Sequence, residues 1–226
     1  RKNKIKNIDK IFLTASGGPF LNKSIHNTKR IKIADAIKHP NWRMGEKISI
    51  DSATMMNKVF EIIEAKKIFN INYNQLHILT HPSSYVHAIL KFKDGLSEIV
   101  LHDTTMRIPI INTLYLDSVK NFRTKEIDFK ILNNLKLKHI NLNKFPLVKI
   151  LKKLPKKNSL FETILVSAND RFVELYLNGK IEFNEIQTRL WKFMNNKEFE
   201  KYKRIKPKKI ENILNLNEYV RLKINS

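Results

Sequence analysis

The sequence contains no cysteine and only five glycines in 226 residues. Without cysteine it can form neither a disulfide nor a thiolate metal site, so any metal ion must be held by carboxylate, imidazole or neutral oxygen ligands. Such ligands suit a hard divalent cation such as Mg²⁺ or Mn²⁺. The sequence also lacks an apolar run long enough to cross a membrane and does not open with a signal peptide, so we expect no membrane partner.

Acidic residues are scarce, because 21 Asp and Glu stand against 43 Lys and Arg and give a formal net charge of +22. One interpretation is a nucleic-acid-binding surface, since release of counterions from phosphates rewards basic proteins. Another is the joint over-use of Lys, Asn and Ile that an AT-rich genome produces. The basic residues are spread along the whole chain and form no block interleaved with aromatics, so we expect no nucleic-acid partner. The charge would still attract small anionic substrates.

Apolar periodicity predicts an α/β (or α+β) domain followed by a small helical domain. The predicted strands cover 10–14, 76–80, 86–92 and 96–101, and Lys93-Asp94-Gly95 indicates a hairpin between the last two. The predicted helices cover 53–69, 147–154, 160–178, 183–195 and 208–224. We therefore predict a catalytic domain with a mostly parallel sheet over 1–116, a connector over 117–144 and an all-α domain over 145–226.

The densest cluster of polar residues lies between positions 39 and 61. On a helix, Asn57 and Glu61 are four residues apart and Lys58 and Glu61 are three apart, so the three side chains share a face. We expect Asp51 and Ser52 to cap this helix, which would place Ser52 where free N–H groups favour an anion. The spacing fits a phosphate near Ser52, Asn57 and Lys58 with a cation near Glu61. It fits an ordinary solvated helix face with an ion pair equally well.

The remaining polar and aromatic candidates are ambiguous when taken one at a time. The Ser16-Gly17-Gly18 loop can bring backbone N–H groups close to a phosphate, because glycine allows close approach. Trp42 and Met44 are equally consistent with core packing. The histidines at 39, 81 and 87 are equally consistent with structural roles. Spacing alone therefore indicates an enzyme-like α/β domain whose function is open.

Longer motifs narrow this interpretation. The most distinctive are TASGGPF at 14–20, HPNWRMG at 39–45 and KISIDSATMMNK at 47–58. In their residues, order and spacing these segments closely resemble those of the 1-deoxy-D-xylulose 5-phosphate reductoisomerase family. The segments HPSSYVH at 81–87 and MRIPI at 106–110 are similar to the next motifs of the family. The segment SAND at 167–170 is loosely similar to the family's Asn-Ala-Ala-Asn-Glu segment. The resemblance is strong from about residue 11 to 115 and faint afterwards.

The resemblance implies an NADPH-dependent enzyme of non-mevalonate isoprenoid biosynthesis that also uses Mg²⁺, Mn²⁺ or Co²⁺. Its substrate would be a phosphorylated sugar, 1-deoxy-D-xylulose 5-phosphate, which rearranges and is reduced to 2-C-methyl-D-erythritol 4-phosphate. The resemblance also implies a homodimer with an interface near 88–101. It implies a location in the bacterial cytoplasm, or in a plastid-type organelle of a eukaryote.

The resemblance assigns roles residue by residue. The implied substrate-binding residues are Ser16, His39, Trp42, Ser52, Asn57, Lys58, Ser84 and His87. The implied catalytic residues are His39, Trp42, Met44, Lys58 and Glu61, with Trp42 on a lid that excludes water. Glu61 would be a metal ligand, and Gly45 and Met106 would lie on the cofactor side.

The chain departs from the family pattern at three places. Val59-Phe60-Glu61 replaces Gly-Leu-Glu, Thr104-Thr105 replaces Pro-Asp, and Asp170 stands at a Glu position. These departures leave open a catalytically degenerate relative, alongside a basic nucleic-acid-binding protein as a further alternative. The family's NADPH-binding domain and its Asp-Ser-Glu metal-ligand segment are not part of this sequence. We therefore expect this chain alone neither to bind NADPH tightly nor to turn over.

Overall fold

The computed structural model describes residues 6–23, 31–42, 44–115 and 123–225. The chain divides into two compact units, and each is assembled from non-adjacent stretches. The first unit consists of Arg1–Gly17, Pro40–Arg43 and Asn74–Ile140, and the second of Gly18–His39, Met44–Tyr73 and Asn141–Ser226. Arg43 of the HPNWRMG motif and residues 116–122, where the predicted connector begins, lie outside the described residues. The boundaries predicted at 116 and 144 stay a prediction.

The secondary structure follows the predicted pattern over much of the chain. The strands are β1 (Ile8–Ala15), β2 (Leu76–Thr80), β3 (Val86–Phe92), β4 (Ser97–Leu101) and β5 (Lys138–His139). The α-helices are α1 (Ile33–Ala36), α2 (Glu46–Thr54), α3 (Met56–Phe69), α4 (Arg107–Leu114), α5 (Phe129–Leu132), α6 (Phe161–Leu177), α7 (Phe183–Met194) and α8 (Ile210–Asn225). Short 3₁₀ segments cover Tyr73–Gln75, Pro146–Lys153 and Lys197–Arg204.

The first unit is built on a five-stranded sheet with the order β4-β3-β1-β2-β5. β1 and β2 pair in parallel, whereas the pairings β1–β3, β3–β4 and β2–β5 are antiparallel. The predicted α/β class is confirmed, but the expectation of a mostly parallel sheet is wrong. One of the three antiparallel pairings comes from the hairpin between β3 and β4, in which the Gly95 N–H bonds the Phe92 carbonyl at 3.1 Å. A tight turn reverses the chain and makes its two strands antiparallel.

The second unit is a helical assembly centred on α6. This helix packs against α2, α7 and α8. Its inner face carries fully buried apolar side chains, among them Phe161, Ile164 and Leu165. Helix α7 begins with a capping box in which Glu182 and Glu185 satisfy each other's backbone N–H groups. The segment predicted as a helix over 147–154 is instead the 3₁₀ segment Pro146–Lys153.

The predicted helix over 53–69 is in fact two helices, and its predicted cap at Asp51-Ser52 is wrong. Both residues lie inside α2. Met55 adopts a left-handed conformation with φ of 69°, which ends α2 and allows α3 to begin at Met56. The Asp51 carboxylate instead bonds Lys47, one turn earlier in the same helix, and Asn169 of α6. No helix in the described ranges is long and apolar enough to cross a membrane.

Candidate functional site

The first turns of α3 carry a hydrogen-bonded triad of Asn57, Lys58 and Glu61. The Asn57 amide donates to Glu61 Oε1 at 2.8 Å, and the Lys58 ammonium donates to Oε2 at 2.6 Å. The Lys58 side chain is only 12% exposed, whereas that of Glu61 is 36% exposed. The shared face predicted from the spacing is therefore confirmed. The triad presents an amide, a cation and a carboxylate oxygen, a set that can bind an oxyanion beside a metal ion.

Ser52 lies in the last turn of α2, so its predicted place at a helix N-terminus is wrong. Its carbonyl accepts the Met55 N–H at 3.2 Å, which closes this turn before the break. In α3, the N–H groups of Lys58 and Val59 both bond the Met55 carbonyl. These two N–H groups are therefore occupied within the helix and are not open to a ligand. The half-buried Ser52 hydroxyl stays a candidate for anion binding.

Gly18 packs against the backbone of α2 beside Ser52. A Cβ atom at position 18 would lie 2.9 Å from the Ser52 carbonyl oxygen and 3.0 Å from the Cα of Ala53. Gly18 also has a φ of 66°, a left-handed conformation that favours glycine. The close approach expected of the glycine-rich loop is therefore present, although its contact is with the helix backbone.

An ionic network centred on the buried Asp51 carboxylate holds α2 to α6. Lys47 pairs with Asp51 at 2.7 Å and with Asp170 at 2.8 Å, and the Asn169 amide donates to Asp51 at 2.7 Å. Burial raises the pKa of Asp51, which is 1% exposed, and Lys47 and Asn169 oppose that rise. Burial would lower the pKa of Lys47, but Asp51 and Asp170 outweigh it and raise that pKa. The network fixes the helix that carries Ser52. Asp170, one of the departures from the family pattern, supplies the second carboxylate that pairs with Lys47.

The remaining candidates of the second unit lie before α2. His39 is half-buried, and burial lowers its pKa, so the ring is neutral at pH 7. A neutral imidazole can exchange a proton with a bound substrate. Met44 is half-buried and Gly45 is exposed. The Gly45 carbonyl accepts the Ser49 hydroxyl at 2.9 Å, a bond inside the first turn of α2 that the sequence did not indicate.

In the first unit, Trp42 and two histidines form an aromatic cluster. The His87 ring stacks on the His102 ring with centroids 3.7 Å apart, and Trp42 meets His87 edge-on at 6.3 Å. His87 Nε2 lies 3.2 Å from the His102 carbonyl oxygen. Sequence reasoning singled out Trp42 and His87 but missed His102. The predicted hairpin placed residues 86–87 and 101–102 at the same end of two antiparallel strands, but the register shift between Val86 and Ala88 was not predictable from the sequence.

Ser84 is held by a residue whose role the sequence did not reveal. The Asn41 amide donates to Ser84 Oγ at 2.8 Å and to the Pro82 carbonyl at 2.6 Å. Ser84 is buried and has a φ of 54°, which is uncommon outside glycine. Such strained positions cluster at binding sites. Asn41 therefore ties the Trp42 segment to the loop that carries Ser84.

His81 has a structural role. It is fully buried, with Nδ1 donating to the Leu135 carbonyl at 2.5 Å and Nε2 accepting from the Ser83 hydroxyl at 2.9 Å. Burial lowers the pKa of His81, and the bond to Leu135 opposes this effect. The neutral ring thus satisfies both nitrogens, as one interpretation of the sequence allowed. Ser16, half-buried after β1, and Met106, 57% exposed before α4, are the remaining candidates of the first unit.

The structure thus gathers the candidates into two groups, each within one unit. The first unit contains Ser16, Trp42, Ser84, His87 and Met106, and the second contains His39, Met44, Gly45, Ser52, Asn57, Lys58 and Glu61. Within the described ranges, no three His, Asp or Glu side chains cluster as a metal site. Glu61 therefore does not form a metal site with these residues alone, and a metal ion bound by Glu61 would need further ligands.

The fold and the side chains together define an α/β protein that carries a hydrogen-bonded amide, cation and carboxylate on α3. Two family models match the chain: the 1-deoxy-D-xylulose 5-phosphate reductoisomerase C-terminal domain over residues 1–69, and the DXP reductoisomerase C-terminal domain over residues 101–223. The chain therefore belongs to the 1-deoxy-D-xylulose 5-phosphate reductoisomerase family.

Curated relatives and solved structures agree with this assignment. The reductoisomerase of Pelagibacter ubique is 59% identical, and the match covers 99% of this chain and 58% of that relative. A reductoisomerase from Clostridium botulinum is 40% identical, and the match covers 98% of this chain and 57% of that relative. A structure of DOX-P reductoisomerase with NADPH, fosmidomycin and magnesium matches with a TM-score of 0.90 at 32% identity, covering 99% of this chain and 56% of that one. The structure of the Zymomonas mobilis enzyme with NADPH matches with a TM-score of 0.85 at 29% identity. That match covers 97% of this chain and 55% of the other. The chain thus spans less than three-fifths of these relatives.

Proposed function

We propose that the protein containing this chain converts 1-deoxy-D-xylulose 5-phosphate to 2-C-methyl-D-erythritol 4-phosphate with NADPH as reductant. The observation that carries this proposal is the triad of Asn57, Lys58 and Glu61. These are residues to which the family resemblance gives substrate and metal roles, and they lie together on one face of α3. The same chain is 59% identical to a curated reductoisomerase.

The phosphorylated sugar binds through Ser52, Asn57 and Lys58 in the second unit. Lys58 supplies the positive charge, and its limited exposure strengthens its attraction for a substrate oxyanion because little water screens it. In the structure this ammonium pairs with Glu61. A bound substrate would therefore compete with Glu61 for Lys58. Ser16 contributes a hydroxyl from the end of β1.

The remaining candidate residues lie partly in the second unit and partly in the first. His39, neutral at pH 7, exchanges a proton with the substrate, and Met44 packs beside it. In the first unit, Trp42 and His87 offer flat aromatic faces, and Ser84 offers a hydroxyl oriented by Asn41. Trp42 covers the substrate and excludes water, which strengthens the polar contacts beneath it.

The residues described do not by themselves fit a divalent metal. Mg²⁺ prefers near-octahedral oxygen coordination, and the second unit offers one carboxylate that already accepts bonds from Asn57 and Lys58. We propose that Glu61 is one ligand of a Mg²⁺, Mn²⁺ or Co²⁺ ion whose other protein ligands lie outside this sequence. A structure of a relative contains magnesium, which supports this assignment.

NADPH is likewise proposed to be bound mainly by residues outside this sequence. The chain has five glycines, none arranged as the Gly-x-Gly-x-x-Gly fingerprint of dinucleotide-binding domains. Met106 and Gly45 are exposed, and we propose that both contact the cofactor. Structures of two relatives contain NADPH, which supports a cofactor site in the longer protein.

We further propose that the protein is a homodimer in the bacterial cytoplasm. Strand β4 lies at the edge of the sheet, and Leu96, Ile99 and Val100 on or beside it are exposed apolar side chains. An exposed apolar edge strand is unfavourable unless another surface covers it. The Pelagibacter and Clostridium relatives are bacterial proteins, which supports the location.

The test is NADPH consumption by the full-length protein that contains this chain, with 1-deoxy-D-xylulose 5-phosphate and Mn²⁺. The wild type should turn over, and Glu61→Gln should lose activity by about 100-fold or more, because it removes a charged metal ligand. Glu64→Gln is the matched control. It lies on the same helix at an exposed position and should retain wild-type activity.

The alternatives predict different results. If a folded protein binds NADPH but does not consume it, the catalytically degenerate relative replaces this proposal. If a nucleic acid binds with steep salt dependence and Lys58→Met leaves that binding unchanged, the nucleic-acid alternative is favoured. Equal loss in Glu61→Gln and Glu64→Gln would argue against a specific role for Glu61.

A further inference from the structure

The second unit contains a cavity of about 690 Å³ near the end of α3. Six of its nine lining residues are basic, namely Lys66, Lys156, Lys157, Lys203, Arg204 and Lys206. None of the nine lining residues is acidic. Lysine and arginine make up 43 of the 226 residues of the chain, so the lining is far more basic than the sequence as a whole.

Lys66 is buried and forms no ion pair with a described acidic side chain. The residue is 8% exposed, and its ammonium donates to Asn158 Oδ1 at 3.1 Å and lies 5.2 Å from the centre of the Tyr73 ring. The nearby Glu162 carboxylate is already bonded by Lys67 and Tyr73. Burying an ammonium with neutral partners is costly, so an anion in this cavity would be favourable.

Four further cations surround the cavity at exposed positions. Lys156, Lys157, Arg204 and Lys206 form no ion pair with an acidic side chain in the described part of the chain. Lys203 differs, because it pairs with Glu200 at 2.8 Å. The four cations lie on two separate segments, the turn that follows Pro146–Lys153 and the end of Lys197–Arg204. Like charges from two segments repel one another unless an anion lies between them.

We propose that this cavity binds a small polyanion carrying two or more phosphate groups. Several cations around one concave site match more than one phosphate, and Arg204 can bind a phosphate with two parallel hydrogen bonds. The volume lies within the range of roughly 300–1,000 Å³ that is typical of small-ligand pockets. No aromatic ring belongs to the lining, so the site offers no stacking platform for the bases of a nucleic acid.

This site is distinct from the triad that is proposed to bind the sugar phosphate. Lys58 lies at the start of α3 and Lys66 near its end. Eight residues of helix separate them by roughly 12 Å along the axis. The two sites can therefore be tested with separate substitutions.

The test is binding of inorganic diphosphate to the full-length protein, measured by isothermal titration calorimetry. The variant Lys156→Gln/Arg204→Gln should bind about tenfold or more weakly, because it removes two charge-assisted hydrogen bonds from exposed positions. The control Lys180→Gln/Lys192→Gln removes two exposed charges of the same unit that do not line the cavity and should bind like the wild type. Lys58→Met should also retain binding at this site.

A second measurement uses the buried lysine. Diphosphate should raise the Tm of the wild type but not that of Lys66→Met, because ligand binding to the folded state stabilises it. Absence of diphosphate binding, or equal weakening in the cavity and control variants, would overturn the proposal. Tighter binding of a single-stranded oligonucleotide through Lys156 and Arg204 would also overturn it, in favour of a nucleic-acid surface.

Discussion

Gly18 and Gly179 share a backbone conformation but differ in their surroundings. Their φ angles are 66° and 68°. A Cβ at position 18 would meet the backbone of Ser52 and Ala53 at 2.9–3.0 Å, whereas nothing lies within 4 Å of a Cβ at position 179. Backbone atoms of a packed helix cannot rotate away as a side chain can. Comparing substitutions at the two glycines therefore separates two contributions to the free energy of unfolding. One is the cost of a left-handed backbone conformation, and the other is the cost of a steric clash.

Both Gly18→Ala and Gly179→Ala should lose roughly 1–2 kcal/mol of unfolding free energy from the left-handed conformation. Gly18→Ala should lose about 1–3 kcal/mol more, because overpacking displaces the backbone of α2. Urea unfolding of the two variants measures the difference. If both variants are destabilised equally, the glycine-rich loop moves freely away from α2 and the contact at Ser52 has no structural role.

At this scale, sequence reasoning succeeded where contacts are local. Asn57, Lys58 and Glu61 could be predicted to meet because the helical repeat alone places residues three and four apart on one face. The partners of Ser84 and His87 could not be predicted in the same way. Asn41 reaches Ser84 across 43 positions, and His102 reaches His87 across 15, so the sheet had to be known first.

The position of α2 depends on one carboxylate that is almost inaccessible to water. Asp51 accepts bonds from Lys47 and Asn169, and burial raises its pKa. Lys47 therefore compensates a charge that cannot be solvated. Removing the Lys47 ammonium leaves the Asp51 carboxylate with a single neutral donor, the Asn169 amide.

Lys47→Met should therefore lose about 2–3 kcal/mol of unfolding free energy, somewhat less than a fully buried pair because Lys47 is partly exposed. Lys47→Met/Asp51→Asn should recover part of that loss, since the uncompensated charge is then gone. Chemical denaturation of the wild type, Lys47→Met, Asp51→Asn and the double variant completes the cycle. The exposed pair Arg189–Glu185 supplies the control, and Arg189→Gln should cost under about 1 kcal/mol. A similar cost in Lys47→Met would contradict the argument.

Elements with strong local signals were predicted from the sequence, and elements formed by tertiary pairing were not. The strand 76–80 and the hairpin matched the structure because alternation and turn residues are local. The two-residue strand β5 has no such signal, since it forms only by pairing with β2. The break at Met55 was also missed, because methionine has no preference for the left-handed conformation that ends α2.

On the scale of the whole molecule, the proposed dimer interface lies at the exposed edge of the sheet. Four of the five residues of β4 are exposed, among them Ile99 at 48% and Val100 at 45%. Ile99→Lys should convert the proposed dimer to a monomer, because a charge on this edge opposes strand or face pairing. Analytical ultracentrifugation of the full-length protein measures the change.

Leu214→Lys is the matched control for this prediction. Leu214 is an exposed apolar residue on α8 in the other unit, so its substitution should leave the dimer intact. A wild-type protein that sediments as a monomer, or a dimer that survives Ile99→Lys, would refute an interface at β4.

The α/β class was predictable for the molecule as a whole because strands and helices have different apolar repeats. Strand direction was not, since β3 pairs with β1 across a long connection and periodicity does not encode orientation. The grouping of α2 and α3 with the C-terminal helices was equally hidden, because it depends on packing against α6 rather than on order along the chain.

The interleaving of the two units has a consequence for synthesis on the ribosome. β1 pairs with β2 some 65 positions later, and the sheet is complete only when β5 has emerged. Helix α2 can pack against α3 early, but its contact with α6 must wait until that helix, which begins at Phe161, has been made. Contacts of such long sequence separation slow folding, because loop closure precedes the gain from burial. Apolar surfaces of the early segments therefore stay exposed until most of the chain has left the exit tunnel, which makes the nascent protein a natural client for chaperones.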